Sequence, residues 1–187
     1  MDRTAVRTAL TLVVAGTASL ALPMATASAA PTGKDAIGVV VAKGGLVGHE
    51  LPSRHAPDRV TFANGSKLVL DCKVPGPVVD GNALWYYAFG DDDDGWVSAR
   101  YVKNVGPAPD PCDPSDGSFS AKATTALKKR VGPSTADASA GTYAKGAKFR
   151  VRCYTGYEQK WYLTDGSRWV RAAYVTTSSK VRYCSNL

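Results

Sequence analysis

The chain carries one pattern twice, and this repetition limits what it can fold into more than any other feature. Pro52-Ser53 recurs as Pro133-Ser134, and at the same spacing of 81 residues Phe62-Ala63-Asn64-Gly65-Ser66-Lys67-Leu68 faces Tyr143-Ala144-Lys145-Gly146-Ala147-Lys148-Phe149, with Cys72 falling on Cys153. Trp85-Tyr86 matches Trp161-Tyr162 at 76, Trp96-Val97 and Ala99 match Trp169-Val170 and Ala172 at 73, Tyr101-Val102 matches Tyr174-Val175, and Cys112 matches Cys184 at 72. The spacing only shrinks, in steps between matched blocks, as shorter hairpin loops in the second copy would produce. A tandem repeat of two units follows, each of about 70 residues and therefore with a marginal core of its own.

The four cysteines, Cys72, Cys112, Cys153 and Cys184, occupy equivalent places in the two copies. An even count in an exported chain is most simply two disulfides. Of the three possible connectivities, Cys72–Cys112 and Cys153–Cys184 give equivalent positions equivalent bonds. A bridge over some tens of residues adds on the order of 3–4 kcal/mol in the chain-entropy account, which a small unit needs. No C-x-x-C pair and no neighbouring histidine supplies the spacing of a zinc site or a redox motif.

Segments between Gly, Pro and Asp clusters are short and strand-like: 37–42, 67–73, 84–89, 96–99, 147–154, 160–163 and 169–175. Leu68, Leu70 and Cys72 alternate with Lys67, Val69 and Asp71, and Phe149, Val151 and Cys153 alternate with Lys148, Arg150 and Arg152, which predicts one buried and one wet face. Asn64-Gly65 and Asp80-Gly81 are turn dipeptides. Only 121–130 is ambiguous with a helix. The expected fold class is all-β, two small antiparallel barrels, each with one disulfide.

Residues 1–29 read as a signal peptide, with Arg3 and Arg7 in a short basic start, an apolar run from Ala9 to Leu22 and an A-x-A site at Ala27-Ser28-Ala29. The run is too short and too polar to span a bilayer. The expectation is a secreted protein, extracellular or wall-associated, without a membrane anchor. Its parts are a first domain over 30–105 with its bridge reaching Cys112, a linker over 106–118 and a second domain over 119–187.

The resemblance of these residues is to bacterial SH3 domains of secreted proteins. It rests on Gly132-Pro133-Ser134-Thr135, the Ala144-Lys145-Gly146 turn, Cys72-Lys73-Val74 with Val79-Asp80-Gly81-Asn82, Leu84-Trp85-Tyr86, and the closing block Gly95-Trp96-Val97-Ser98-Ala99-Arg100-Tyr101-Val102. It covers nearly all of the chain after the leader, as two SH3-like antiparallel barrels. The first copy departs from the family's usual Arg-x-Gly-Pro-Ser loop with Leu51-Pro52-Ser53-Arg54-His55. The resemblance implies a ligand groove between the loop after the first strand and the last hairpin. Tyr86, Trp96, Tyr101, Tyr162, Trp169 and Tyr174 are the groove candidates, since aromatic rings offer stacking faces to peptides or sugars.

Charge separates the copies. Residues 30–116 carry 8 Lys and Arg against 12 Asp and Glu, whereas residues 117–187 carry 13 against 3. Lys128, Lys129, Arg130, Lys148, Arg150 and Arg152 are the anion-binding candidates, and outside a cell they would meet wall polymers and anionic glycans. No catalytic residues are expected, because His49 and His55 stand without a nucleophile, a carboxylate pair or a metal-ligand pattern. Asp91–Asp94 lacks the spacing of a calcium loop and reads as a solvated hairpin tip. Asn64-Gly65-Ser66 reads as a turn rather than a glycosylation site. The sequence predicts a non-enzymatic protein without cofactor or metal, binding peptidoglycan or an anionic wall polymer and no specific nucleic acid. An extracellular protein partner, engaged as by a protease inhibitor through the loop 48–57, is the alternative.

Overall fold

A computed structural model of the chain describes residues 36–112 and 117–186, so the leader and part of the linker lie outside the described residues. The first copy forms β1 (Ala36–Val40), β2 (Leu46–His49), β3 (Asp58–Phe62), β4 (Lys67–Val79), β5 (Asn82–Phe89), β6 (Asp94–Ser98) and β7 (Val102–Val105). The second forms β8 (Phe119–Ala123), β9 (Leu127–Arg130), β10 (Ser139–Tyr143), β11 (Lys148–Thr155), β12 (Trp161–Thr164), β13 (Trp169–Arg171) and β14 (Val175–Thr177). Each copy is one antiparallel sheet, in the orders β3-β2-β6-β5-β4-β1-β7 and β10-β9-β13-β12-β11-β8-β14. These are the same order with every number raised by seven. The fold is all-β, and the segment 121–130 resolves into the end of β8 and all of β9 rather than a helix.

Each copy closes its own bridge, Cys72–Cys112 and Cys153–Cys184. After the last strand of each copy the chain returns to lie parallel to its longest strand, at Lys73↔Pro111 and at Tyr154↔Tyr183, one residue from the bonded cysteine. Part of the stretch expected as a linker is therefore paired. The Lys73 N–H donates to the Asp110 carbonyl, and the Lys73 carbonyl accepts from the Cys112 N–H. Asp80 and Gly81 both sit at positive φ, 44° and 83°, which is the two-residue hairpin turn expected of an Asp-Gly pair.

Both faces of the central strands are covered, and this is where the structure departs from the expected wet outer face. A bulge causes it. Leu70 lies opposite Ala88 but Cys72 lies opposite Tyr87, so β4 carries an extra residue and reverses which side its even-numbered residues face. Leu68 and Leu70 join Tyr86, Ala88 and Val97 in the core of the first sheet, whereas Cys72 and Val74 join Trp85, Tyr87 and Trp96 on the other side. The second copy repeats the device: Val151 lies opposite Thr164 and Cys153 opposite Leu163. Val151 faces its own sheet's core, and Cys153 turns outward with Trp161, Leu163 and Trp169.

The two outward faces meet. Both disulfides, all four tryptophans, Val74, Tyr87 and Leu163 form one buried cluster shared by the copies. Cys72 Sγ lies 3.7 Å from the Cys184 carbonyl and Cys153 Sγ 3.8 Å from the Cys112 carbonyl, so each bridge packs on the other copy's second cysteine. The Pro75-Gly76-Pro77 stretch of β4 inserts at this seam. Its register irregularity frees two carbonyls, and indole N–H groups take them: Trp85 Nε1 donates to Pro77 O at 3.0 Å and Trp169 Nε1 donates to Pro75 O at 2.8 Å. A side chain at Gly76 would place its Cβ 2.7 Å from Trp85 Nε1 and 2.9 Å from the Pro52 carbonyl. The seam closes only around a glycine there.

One polar contact is buried in the same region. The Ser53 and Ser134 loops adopt the same turn, each hydroxyl accepting from the N–H two residues on, of His55 and of Ala136. The Ser53 hydroxyl also donates to Asp137 Oδ1 at 3.0 Å, while among the described residues Asp137 Oδ2 has no hydrogen-bond partner. Burial pushes the Asp137 carboxyl above its ordinary range, opposed by Ser53, His55 and Arg130. A carboxyl raised in the folded state favours the fold below its unfolded value and costs stability as pH rises through the folded value. Asp137→Asn is therefore expected to gain about 1 kcal/mol at neutral pH, a gain that shrinks on acidification. Ser53→Ala should lose about 2 kcal/mol at neutral pH, because it strands a buried carboxylate. Urea unfolding across pH checks both, and an Asp137→Asn variant less stable than the parent at neutral pH would show that the anion is fully compensated.

Candidate functional site

A groove recurs at equivalent positions in the two copies. In the first it encloses about 550 Å3 between the loop after β1 and the final hairpin, lined by Lys43, Gly44, Val47, His49, Arg54, Asp58, Trp85, Ser98 and Tyr101 among others. In the second it encloses about 480 Å3, lined by Thr125, Lys128, Arg130, Thr135, Trp161, Arg171 and Tyr174 among others. Gly44 corresponds to Thr125, Val47 to Lys128, His49 to Arg130, Arg54 to Thr135, Trp85 to Trp161, Ser98 to Arg171 and Tyr101 to Tyr174. The fold builds the same concavity twice, and the sequence has refitted its walls.

Each groove has a tryptophan at its base and a tyrosine on its rim. Trp85 and Trp161 are 1% and 3% exposed, because their rings belong to the shared core, whereas Tyr174 is 45% exposed. Both tyrosines end short 3-10 turns, Ala99–Tyr101 and Ala172–Tyr174, which interrupt the strand direction and aim the rings at the groove mouths. The first turn is capped by Ser98, whose hydroxyl accepts from Arg100 N–H; the second has Arg171 at that place and no side-chain cap. The Tyr101 hydroxyl donates to Asp80 in the hairpin turn, and that carboxylate raises the phenol's pKa.

Electrostatically the grooves differ. The first mixes signs: His49 Nδ1 lies 3.0 Å from Asp58 Oδ1, His49 packs on Trp85 with ring centroids 5.8 Å apart, and Lys43 and Arg54 face the same space. The second presents Lys128, Arg130 and Arg171, with no acid among its lining residues. Arg130 is held in place by donating to the Asp137 carbonyl at 2.6 Å. A mixed groove suits a zwitterionic or peptide ligand. A wholly cationic one suits a carboxylate or phosphate, whose desolvation it offsets over a field reaching about 8–10 Å.

Two of the six aromatic groove candidates, Tyr101 and Tyr174, line the grooves. Trp96 and Trp169 are corrected: both are 0% exposed in the shared core and have no face to offer a ligand. Tyr86, 4% exposed, packs inside the first sheet, and Tyr162 is half-buried against the second sheet's core, where burial raises its phenol pKa. Of the anion candidates, Lys128 and Arg130 line the second groove. Lys129 lies over the Tyr143 ring at 4.9 Å, and Lys148 and Arg150 lie together on a different face with Lys122. Arg152, on β11, lines neither groove. Sequence reasoning missed His49, Arg54 and Arg171 as groove residues. The repeat held the signal, since each stands where the other copy has a groove position.

The Gly48–Pro57 loop is mostly turned inward. Leu51, Pro52, Ser53 and Ala56 are buried, leaving Arg54, His55 and Pro57 exposed. Among the described residues no group of three metal-ligating side chains converges, and no helix is long and apolar enough to cross a membrane. Asp94, the last of the acidic run, is engaged by Arg59 at 2.8 Å and by the Tyr87 hydroxyl.

No family model and no curated protein matches this chain. Among solved structures it is similar to NlpC2 of Trichomonas vaginalis, at 9% identity and TM-score 0.29 over 76% of this chain and 48% of that one. It is also similar to NlpC1 of the same organism, at 7% identity and TM-score 0.27 over 86% and 51%. The chain spans about half the length of these neighbours, and likenesses at this level carry no functional conclusion.

Proposed function

We propose that this is a secreted, non-catalytic binding protein of bacterial SH3-like type that recognises cell-wall peptidoglycan or an anionic polymer associated with it. The observation that carries the reading is the duplicated groove, with Tyr101 and Tyr174 on matching rims and three cations lining the second groove. Two disulfides suit an oxidising, extracellular setting. The grooves divide the work: the mixed-charge first groove takes peptide, and the cationic second groove takes carboxylate or phosphate. Because both belong to one chain, a polymer reaching both is held at an effective local concentration that neither groove provides alone. A protein partner engaging the Gly48–Pro57 loop is less favoured, since most of that loop is buried.

Co-sedimentation of the oxidised protein with purified wall sacculi over a salt series tests this. Tyr101→Ala and Tyr174→Ala are each expected to weaken binding about tenfold through lost stacking. Arg171→Gln should flatten the salt dependence without changing the salt-resistant part. Failure to sediment in any salt, or binding unchanged in the double tyrosine variant, would overturn the reading.

A further inference from the structure

The outer face of the second sheet, away from its groove, carries cations in an arrangement that a sheet does not adopt for its own stability. Across β11, β8 and β14 the directly opposed residues form two rows. In the first row Lys148 faces Lys122, which faces Thr176. In the second Arg150 faces Ser120, whose carbonyl accepts the Ser178 N–H at 2.9 Å. Lys122, Lys148, Arg150, Thr176 and Ser178 are all exposed, and the rows line a shallow depression of about 520 Å3 with no acid among its lining residues. Like charges directly opposite one another destabilise a sheet. Here Lys122 and Lys148 are such a pair.

The first copy supplies an internal comparison. Its corresponding rows are Lys67, Val39 and Lys103, then Val69, Ile37 and Val105. There a valine separates the lysines, and the second row is aliphatic. Five differences in register convert that surface into the second copy's: lysine for Val39, threonine for Lys103, arginine for Val69, and serine for Ile37 and for Val105. The Arg150 guanidinium is fixed by hydrogen bonds to Ser118 and lies 3.7 Å from Asp165. It is thus anchored beside Ser118 at the edge of the second row, with Asp165 offsetting part of its charge.

We propose that this face is an anion-binding site for a linear phosphodiester chain, with one phosphate held by Lys122, Lys148 and the Thr176 hydroxyl and the next by Arg150 with the Ser120 and Ser178 hydroxyls. The rows lie two residues apart along the strands, about 7 Å, so the site addresses successive charges on a chain rather than a single ion. Ammonium groups with neighbouring hydroxyls match the oxygens of a phosphodiester, which accept from both. The site adjoins the cationic groove along the chain, since β14 begins directly after Tyr174 and β8 ends two residues before Thr125. This inference deepens the wall-binding reading and rests on it for the biological source of the polymer.

Titration of the whole oxidised protein with poly(glycerol phosphate), oligothymidylate, poly-glutamate and inorganic phosphate over a salt series tests it without any wall. For whichever phosphodiester binds, Lys122→Gln with Lys148→Gln is expected to weaken binding about tenfold and lower the salt slope by about 1.4, two charges at about 0.7 each. Lys67→Gln with Lys103→Gln, the same charge removed from the corresponding row, should change affinity less than about twofold. Loss of a like-charge pair does not lower the thermal midpoint, which separates lost binding from lost folding. Binding of poly(glycerol phosphate) alone would identify a polyol phosphate, and binding of both would show that the site reads phosphodiester charge from either source. Equal losses in the two double variants, or poly-glutamate binding that falls as far as phosphodiester binding when Lys122 and Lys148 are replaced, would overturn the assignment. So would inorganic phosphate matching the polymers. Since no wall and no groove substitution enters the experiment, its failure leaves the groove reading intact, and failed sedimentation of the tyrosine variants leaves this site intact.

Discussion

Trp169→Ala is expected to destabilise the protein by about 4 kcal/mol and to do so in both copies at once. The ring is 0% exposed and belongs to the cluster that also holds Trp85, Trp96 and both disulfides. Its removal leaves a cavity that rigid strands on either side cannot close. It also strands the Pro75 carbonyl, which accepts the indole N–H at 2.8 Å from 94 residues away in the sequence. Losing the donor of this partly buried carbonyl adds about 1 kcal/mol to the cavity cost. Against a typical total of about 5–15 kcal/mol, the variant would be marginal. Trp169→Phe, which keeps most of the ring and loses the donor, should cost about 1–2 kcal/mol and separates the two contributions. Denaturant unfolding followed by hydrogen exchange in each copy is the check; a variant that loosens only β8–β14 would show that the seam is not shared.

Removing either disulfide is the second large effect. The bonds span sequence separations of 40 and 31 residues, and in the chain-entropy account each contributes about 4 kcal/mol by restricting the unfolded chain. Packing adds to this, because each bridge lies against the other copy's second cysteine. Cys153→Ala with Cys184→Ala should therefore lower the stability of the first copy too, although neither residue belongs to it. It would also release the C-terminal tail, whose Ser185 hydroxyl and Asn186 N–H donate to Asp71 of the first copy. Loss of both bonds should leave no folded protein at ordinary temperature. An unchanged melting midpoint for the first copy after loss of the second bridge would confine each disulfide to its own repeat.

The repeat made much of this readable from residues alone. Matching cysteines gave the pairing, Asp80-Gly81 gave a turn, and the falling offset gave the shorter second-copy hairpins. The back-to-back packing was present as a signal that alternation obscured. Leu84-Trp85-Tyr86-Tyr87-Ala88-Phe89, Trp96-Val97 and Trp161-Tyr162-Leu163 are apolar at consecutive positions, which is how strands covered on both faces read. That pattern separates Trp96 and Trp169, turned to the seam, from Val97 and Val170, turned to each sheet's own core. The bulges near Asp71 and Arg152 left no such trace, since an extra residue in a ladder depends on the partner strand. β2, β3, β7, β8, β9 and β10 fall outside the strand-like segments because four or five residues between turns give too little period. In the groove, the rim tyrosines were accessible by resemblance, while His49 and Arg171 emerge only when the two copies are superposed by position.

What unites fold and function here is a duplication fused through tryptophans and disulfides into one body that holds two differently charged grooves. Differential scanning calorimetry of the intact oxidised protein tests this fusion most directly. A single transition is predicted, with calorimetric and van't Hoff enthalpies equal and a value appropriate to both copies together. Two resolved transitions, or a calorimetric enthalpy near twice the van't Hoff value, would contradict it and make the copies independent beads on a chain.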